Sequence, residues 1–137
     1  MSLLDEVGAY LVSQGVGTAV DTDVFLGKVP ASPDTVWALI HYGGLPDETE
    51  NLTQGTTVRR EFPRFQLVTR AGRDDYQTAY ANARAAKTAL TRVANQNLSG
   101  TRYLAILCEN GPFFQRRDDN DRVEIVANFQ VDGKDPS

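Results

Sequence analysis

Asp74-Asp75-Tyr76-Gln77-Thr78-Ala79-Tyr80-Ala81-Asn82-Ala83-Arg84-Ala85-Ala86-Lys87-Thr88-Ala89-Leu90 is the stretch on which the reading of this sequence turns. Asp74 is a natural N-cap, and Gln77 follows at the spacing of a capping box. Tyr76, Ala79, Tyr80, Ala83, Ala86, Leu90, Val93 and Ala94 recur on one helical face. Alanine has the highest helix propensity. Its small side chain also lets a helix lie close to a sheet. The stretch predicts a long amphipathic helix, ended by the turn-forming residues Asn95 to Gly100.

Working outward, Arg59 to Arg70 has strand composition. Phe65, Leu67 and Thr69 would face one way, and Arg64, Gln66, Val68 and Arg70 the other. Pro63 suits an edge or a strand start, and Ala71-Gly72 ends the run. Past the helix, Arg102 to Cys108 and a short piece, Phe113 to Arg116, read as strands. A third, Arg122 to Val131, puts Val123, Ile125, Ala127, Phe129 and Val131 on one face, with Val126 out of step. Asp118-Asp119-Asn120-Asp121 makes the turn of a closing hairpin.

The N-terminal part opens on a short helix. Ser2 can cap it, Asp5 and Glu6 suit its first turn, and Leu3, Leu4, Val7, Leu11 and Val12 form its apolar face. Gly15 and Gly17 stop it. Strands are expected at Asp23 to Lys28 and Thr35 to Ile40, with Pro30 and Pro33 in the turn between them. Tyr42 to Thr57 carries Gly43-Gly44, Pro46, a run of acids and Gly55, and reads as an exposed loop. The expectation is one α+β domain over residues 1–131, with a mostly antiparallel sheet and two helices packed on one face. Residues 132–137 would be a flexible tail.

The bulk numbers agree. The chain has 137 residues, 41% of them hydrophobic and 23% charged, which suits one domain with a proper core. Cys108 is the only cysteine, so no intrachain disulfide can form, and its apolar neighbours predict a buried thiol. The net charge of −4, with no basic arm, argues against tight nonspecific DNA binding. The acidic start lacks the basic region of a signal peptide. The apolar runs are too short to span a membrane. A cytoplasmic place of synthesis is expected.

Catalytic chemistry finds little support. His41 is the only histidine and has no evident partner for acid–base work or metal binding. Gly15-Val16-Gly17 follows a helix rather than opening one, so it is no phosphate loop. Asp118 and Asn120 begin like a calcium loop, but Arg122, Val123 and Phe129 stand where ligands and a glycine are needed. No cofactor and no metal are expected. Charge is the more informative feature. Asp47, Glu48 and Glu50 cluster in the long loop. Arg59, Arg60, Arg64, Arg70 and Arg73 precede the central helix, and Arg116 and Arg117 adjoin Asp118 and Asp119. Patches of opposite sign suit contacts between subunits. The candidate interface residues are Arg59, Arg60, Arg64, Arg116, Arg117, Asp47, Glu48, Glu50, Asp118 and Asp119. Phe113 and Phe114 are expected in the core.

Pro63-Arg64-Phe65-Gln66-Leu67-Val68-Thr69-Arg70-Ala71-Gly72, then Tyr76-Gln77-Thr78-Ala79-Tyr80-Ala81, then Asp121-Arg122 leading into Val126-Ala127-Asn128-Phe129-Gln130-Val131, follow one another as strand, alanine-rich helix and closing strand. This series resembles the tail terminator and minor capsid (tail completion) proteins of siphophages. The resemblance covers residues 58–131 well and the first 57 in outline. It implies a structural protein, not an enzyme. Such a protein forms a ring, commonly six-fold, on the end of the tail tube, stops tail polymerisation and offers a docking surface to the head. The implied partners are other copies of the chain, the major tail tube protein and a head-completion or neck protein, with DNA passing through the ring. The implied location is the virion, at the head–tail junction, after assembly in the host cytoplasm. Another neck or head-closure protein, or a small-molecule-binding α+β module, remains the alternative reading.

Overall fold

A computed structural model of the protein describes residues 2–53 and 56–135, with side chains outside 45–59. Helix α1 spans Leu3–Ser13, strand β1 Val24–Leu26, β2 Val36–Thr53 and β3 Thr56–Arg73. Helix α2 spans Tyr76–Thr91, followed by β4 Ala94–Leu98, β5 Thr101–Arg117 and β6 Arg122–Val131. The strands form one mixed six-stranded sheet in the order β1-β2-β3-β6-β5-β4, curled as a half-barrel. Among the described strand pairs, β1–β2 is parallel and the others are antiparallel. Both helices lie on one face, so the expected α+β architecture is the one observed.

Both helix starts follow local chemistry. Ser2 and Asp5 form a reciprocal capping box on α1. On α2 the cap is Asp75, one residue later than expected, with its carboxylate accepting from Thr78 N. Because β3 and β4 lie three places apart in the sheet, α2 must cross β6 and β5 to connect them. Its alanine face allows that approach: Ala79, Ala83, Ala86, Ala89 and Leu90 are buried. Thr69 Oγ1 donates to Ala79 O at 2.9 Å, Trp37 Nε1 to Asn82 O at 3.3 Å, and Tyr10 OH to Ala89 O at 2.7 Å. These bonds fix α2 against the sheet and α1 against α2. Beneath the helices lies the main core, with Phe65 stacked on Phe129 at 5.3 Å between ring centres.

Several local expectations are corrected by pairing. The loop expected at Tyr42 to Thr57 belongs instead to a long β2–β3 hairpin, registered from Val36↔Arg70 out to Thr53↔Thr56. Asn95 to Leu98, expected as turn, belongs to β4. The tight turn is Ser99-Gly100, both at positive φ, joining β4 to β5. The two pieces Arg102 to Cys108 and Phe113 to Arg116 are one bulged strand, β5. Gly111 sits at that bulge because a Cβ there would come within 2.7 Å of Val126 O.

Burial brings further corrections. Phe113 and Phe114 are 41% and 51% exposed rather than core. Cys108 is half-buried, and burial raises the pKa of its thiol. Residues 132–135, which composition reads as a frayed end, are docked. Asp132 N donates to Ala105 O, Leu104 N to Gly133 O and Asp135 N to Arg102 O. Residues 136 and 137 lie outside the described residues.

Candidate assembly surface

Strand lengths do not match across the sheet, and the mismatch creates the most distinctive surface of the molecule. β1 covers β2 only from Trp37 to Leu39. β6 covers β3 only from Arg64 to Arg73. From Gly44↔Pro63 to Thr53↔Thr56 the two limbs of the hairpin pair with each other, with only an isolated Glu61↔Lys134 bridge beside them among the described residues. At about 3.3 Å per residue, each limb of this arm measures roughly 30 Å along its backbone. Each limb presents a free edge of backbone donors and acceptors, and such edges pair readily with another chain.

The ladder of the hairpin is interrupted at Gly43 and Gly44, where the arm begins. Gly43 has φ +44°, and a Cβ on Gly44 would come within 2.7 Å of Phe62 O. Two hairpin register shifts fall on either side, between His41 and Gly44 and between Leu45 and Glu48. Beneath these glycines lies a cleft of about 480 Å³ walled by Leu3, Leu4, His41, Phe62 and Pro63, with Glu61 and Lys134 also on its lining.

The candidate interface charges divide into two groups. Glu48 lies opposite Arg60 and Thr49 opposite Arg59 in the arm. The side chains of Asp47, Glu48, Glu50 and Arg59 lie outside the described residues, and Arg60 is half-buried. The remaining charges, apart from the exposed Asp119, already have partners within the chain. Arg64 Nε stands 3.4 Å from Glu109 Oε1, short of hydrogen-bond geometry. Arg116 makes a bidentate pair with Glu124 at 3.1 and 3.2 Å, and Arg117 pairs with Asp74.

Asp118 is less a surface acid than a hub. Its carboxylate accepts from Asn120 N, Arg122 N and Arg122 Nε, and lies 3.8 Å from Arg70 Nη1. Arg70, Arg122 and Glu124, which strand alternation puts on the polar face, are buried. The segment after β1 folds over them. Arg70 donates to Pro33 O and Asp34 O, and Arg122 to Ala31 O. Sequence periodicity missed this cluster because its cover comes from a segment some ninety residues away in the case of Arg122. Burial raises the pKa of Asp118, but the bonds from Arg122 and Asn120 outweigh it, and the net shift is downward. Its contribution to stability is therefore complete above the unfolded value of about 4 and is lost as pH falls through the lower folded value. Asp118→Asn is expected to cost about 1–3 kcal/mol at pH 7. The variant should also lose part of the parent's acid sensitivity. Urea titrations at pH 7 and pH 3 check both; an unchanged pH dependence would count against Asp118 as its source.

The sheet face away from the helices carries a small apolar strip, Ala38, Val68 and Val126, with Val29 and Ile40 against it. Beside the strip runs an amide ladder: Gln66 Nε2 donates to Asn128 Oδ1, and Asn128 Nδ2 to Asn110 Oδ1. His41 is exposed, and among the described residues no group of histidine, cysteine and acids is placed to hold a metal ion. Among the described residues, no helix is long and apolar enough to cross a membrane. The arrangement offers edges, charge and an arm to a macromolecular partner.

Comparison with known proteins agrees with an assembly role. No curated protein matches the sequence. Among solved structures, a chain from the virion of a native gene transfer agent particle has the same fold. The TM-score is 0.61 at 22% identity, over 97% of this chain and 95% of that one. A family described as bacteriophage tail terminator protein matches residues 10–135, nearly the whole folded domain. The resemblance read from the central strand, helix and closing strand is thus the family relationship itself, and this chain belongs to the bacteriophage tail terminator protein family.

Proposed function

We propose that this phage tail structural protein closes into a ring, six-fold as is common for such caps, on the last ring of the tail tube. The ring ends polymerisation and presents its other side to a head-completion or neck protein. The hairpin arm carries this reading. A two-stranded ribbon is marginally stable alone in water, so an arm of this length gains most by lying on a neighbouring subunit or on the tube. Its limbs also differ in charge: Asp47, Glu48 and Glu50 lie on β2, and Arg59 and Arg60 on β3. Complementary limbs favour one orientation of neighbours around a closed ring. Asp119, exposed on the β5–β6 turn, is a further candidate contact. The net charge of −4 suits a passage through which DNA moves without adhering. Assembly in the host cytoplasm and residence at the head–tail junction follow from this role, and no cofactor enters it.

The test is to replace residues 45–59 by an Asn-Gly linker, which leaves Gly44 and Pro63 as the last pair of the hairpin and keeps Glu61. The shortened protein is expected to melt within about 3 °C of the parent, because the core residues named among the described ones all lie outside the excised stretch. It should fail to bind the ends of purified tail tubes, scored by negative-stain microscopy. Normal capping by the armless protein would overturn the proposal.

A further inference from the structure

We infer that the segment around Lys134 is a clamp that positions the hairpin arm, with Lys134 as its positioning residue. The inference rests on the arm's role as a contact element. Beyond Pro63 the β3 limb has left β6, and among the described residues one backbone bridge ties it to the rest of the sheet. Glu61 N donates to Lys134 O at 2.9 Å, and Lys134 N donates to Glu61 O at 3.0 Å. This two-bond bridge lies next to the interruption at Gly43-Gly44 and beside the cleft beneath it. A corner made of two glycines, a cleft below it and a backbone bridge across it make a joint whose angle the bridge sets.

The bridge is itself held from behind. Lys134 is buried, and its Nζ lies 3.3 Å from Glu6 Oε1 and 4.0 Å from Glu61 Oε1. It also sits 5.3 Å from the centre of the Tyr103 ring. Glu6 belongs to α1 and accepts from Tyr103 OH at 2.8 Å and from Thr101 Oγ1. The arm is thereby tied through Lys134 to Glu6 of α1 and to Tyr103 of β5, both buried in the domain. A joint fixed in this way keeps the arm pointing in one direction before any partner is met, which lowers the ordering cost of assembly.

The experiment removes either bridge donor in the full-length protein. Glu6→Gln/Lys134→Pro loses the Lys134 N–H and Glu61→Pro loses the Glu61 N–H. Glu6→Gln/Lys134→Met keeps both donors and is the matched control for the first variant; the parent protein is the control for Glu61→Pro. Hydrogen–deuterium exchange is followed in peptides covering 42–53 and 56–63, with α2 and β6 as internal reference. In each proline variant, arm exchange is expected to rise about tenfold over its control while the reference peptides stay protected. Arm exchange equal to the control in both variants would overturn the clamp. Tail-tube capping separates the two ideas. Faster arm exchange with capping intact supports the clamp but removes the arm from the assembly reading. Faster exchange with weakened capping supports both.

Discussion

Lys134→Met is expected to destabilise the domain by about 3–5 kcal/mol, the usual cost of removing one partner from a buried ion pair. Glu6 is 1% exposed and Lys134 2%. In the single variant the Glu6 carboxylate keeps the hydroxyls of Thr101 and Tyr103 but loses the Lys134 ammonium, and its charge stays inside the protein. Glu6→Gln/Lys134→Met should recover most of the loss and finish within about 1 kcal/mol of the parent. The glutamine oxygen still accepts from Tyr103 OH while its Nε2 donates to Thr101 Oγ1, a hydroxyl that can turn to accept, no net charge remains buried, and methionine fills the lysine stem's volume. Guanidinium titrations of the three proteins at matched salt give the answer through their midpoints and slopes. A double variant as unstable as Lys134→Met would mean that packing, not charge compensation, decides the site. A consequence visible in the same protein is that the Tyr103 phenol is pushed far above its ordinary range, first by burial and then by its bond to Glu6. Its ionisation should therefore be absent from an alkaline spectrophotometric titration until the fold is lost.

Phe129→Ala is expected to cost about 3–5 kcal/mol and to lower Tm by roughly 10 °C or more. Phe129 is fully buried at a central register of the sheet, opposite Phe65 on β3 and Cys108 on β5. Removing its ring takes away the stacked partner of Phe65 and leaves a hole between β3 and the helices, where the close-packed alanines of α2 leave little room for collapse. Phe129→Leu, which refills most of the volume, should cost no more than half as much. Differential scanning calorimetry on both variants tests this. Similar losses for leucine and alanine would show that ring stacking, rather than the cavity, carries the energy.

The parts of the fold that were legible in the sequence are those whose cause is local. The α2 alanine face, the Ser2–Asp5 cap of α1 and the alternation of Val123, Ile125, Ala127, Phe129 and Val131 each announce an element through neighbours a few residues away. The family resemblance drew on the first and third of these stretches, and the match over residues 10–135 covers both; the Ser2–Asp5 cap lies before it. The candidate surface was legible only in composition. The acids and arginines were visible, but their partners were not. Arg117 meets Asp74 and Arg122 meets Asp34 across separations that no periodicity encodes.

The sequence by itself determined two helices, the order of the main strands, the core face of β6 and an assembly role through family likeness. Tertiary structure alone decided the rest. Gly43-Gly44 and Pro46 disfavour strands locally, yet residues on either side pair because each limb of the hairpin supplies the other's hydrogen-bond partners. Lys134 looks like a surface lysine near a frayed end. It is interior because Glu6, 128 residues earlier in the chain, waits there with a carboxylate. Strand pairing and ion pairing are non-local interactions, and their energy depends on which segments the fold brings together, which no window of sequence contains.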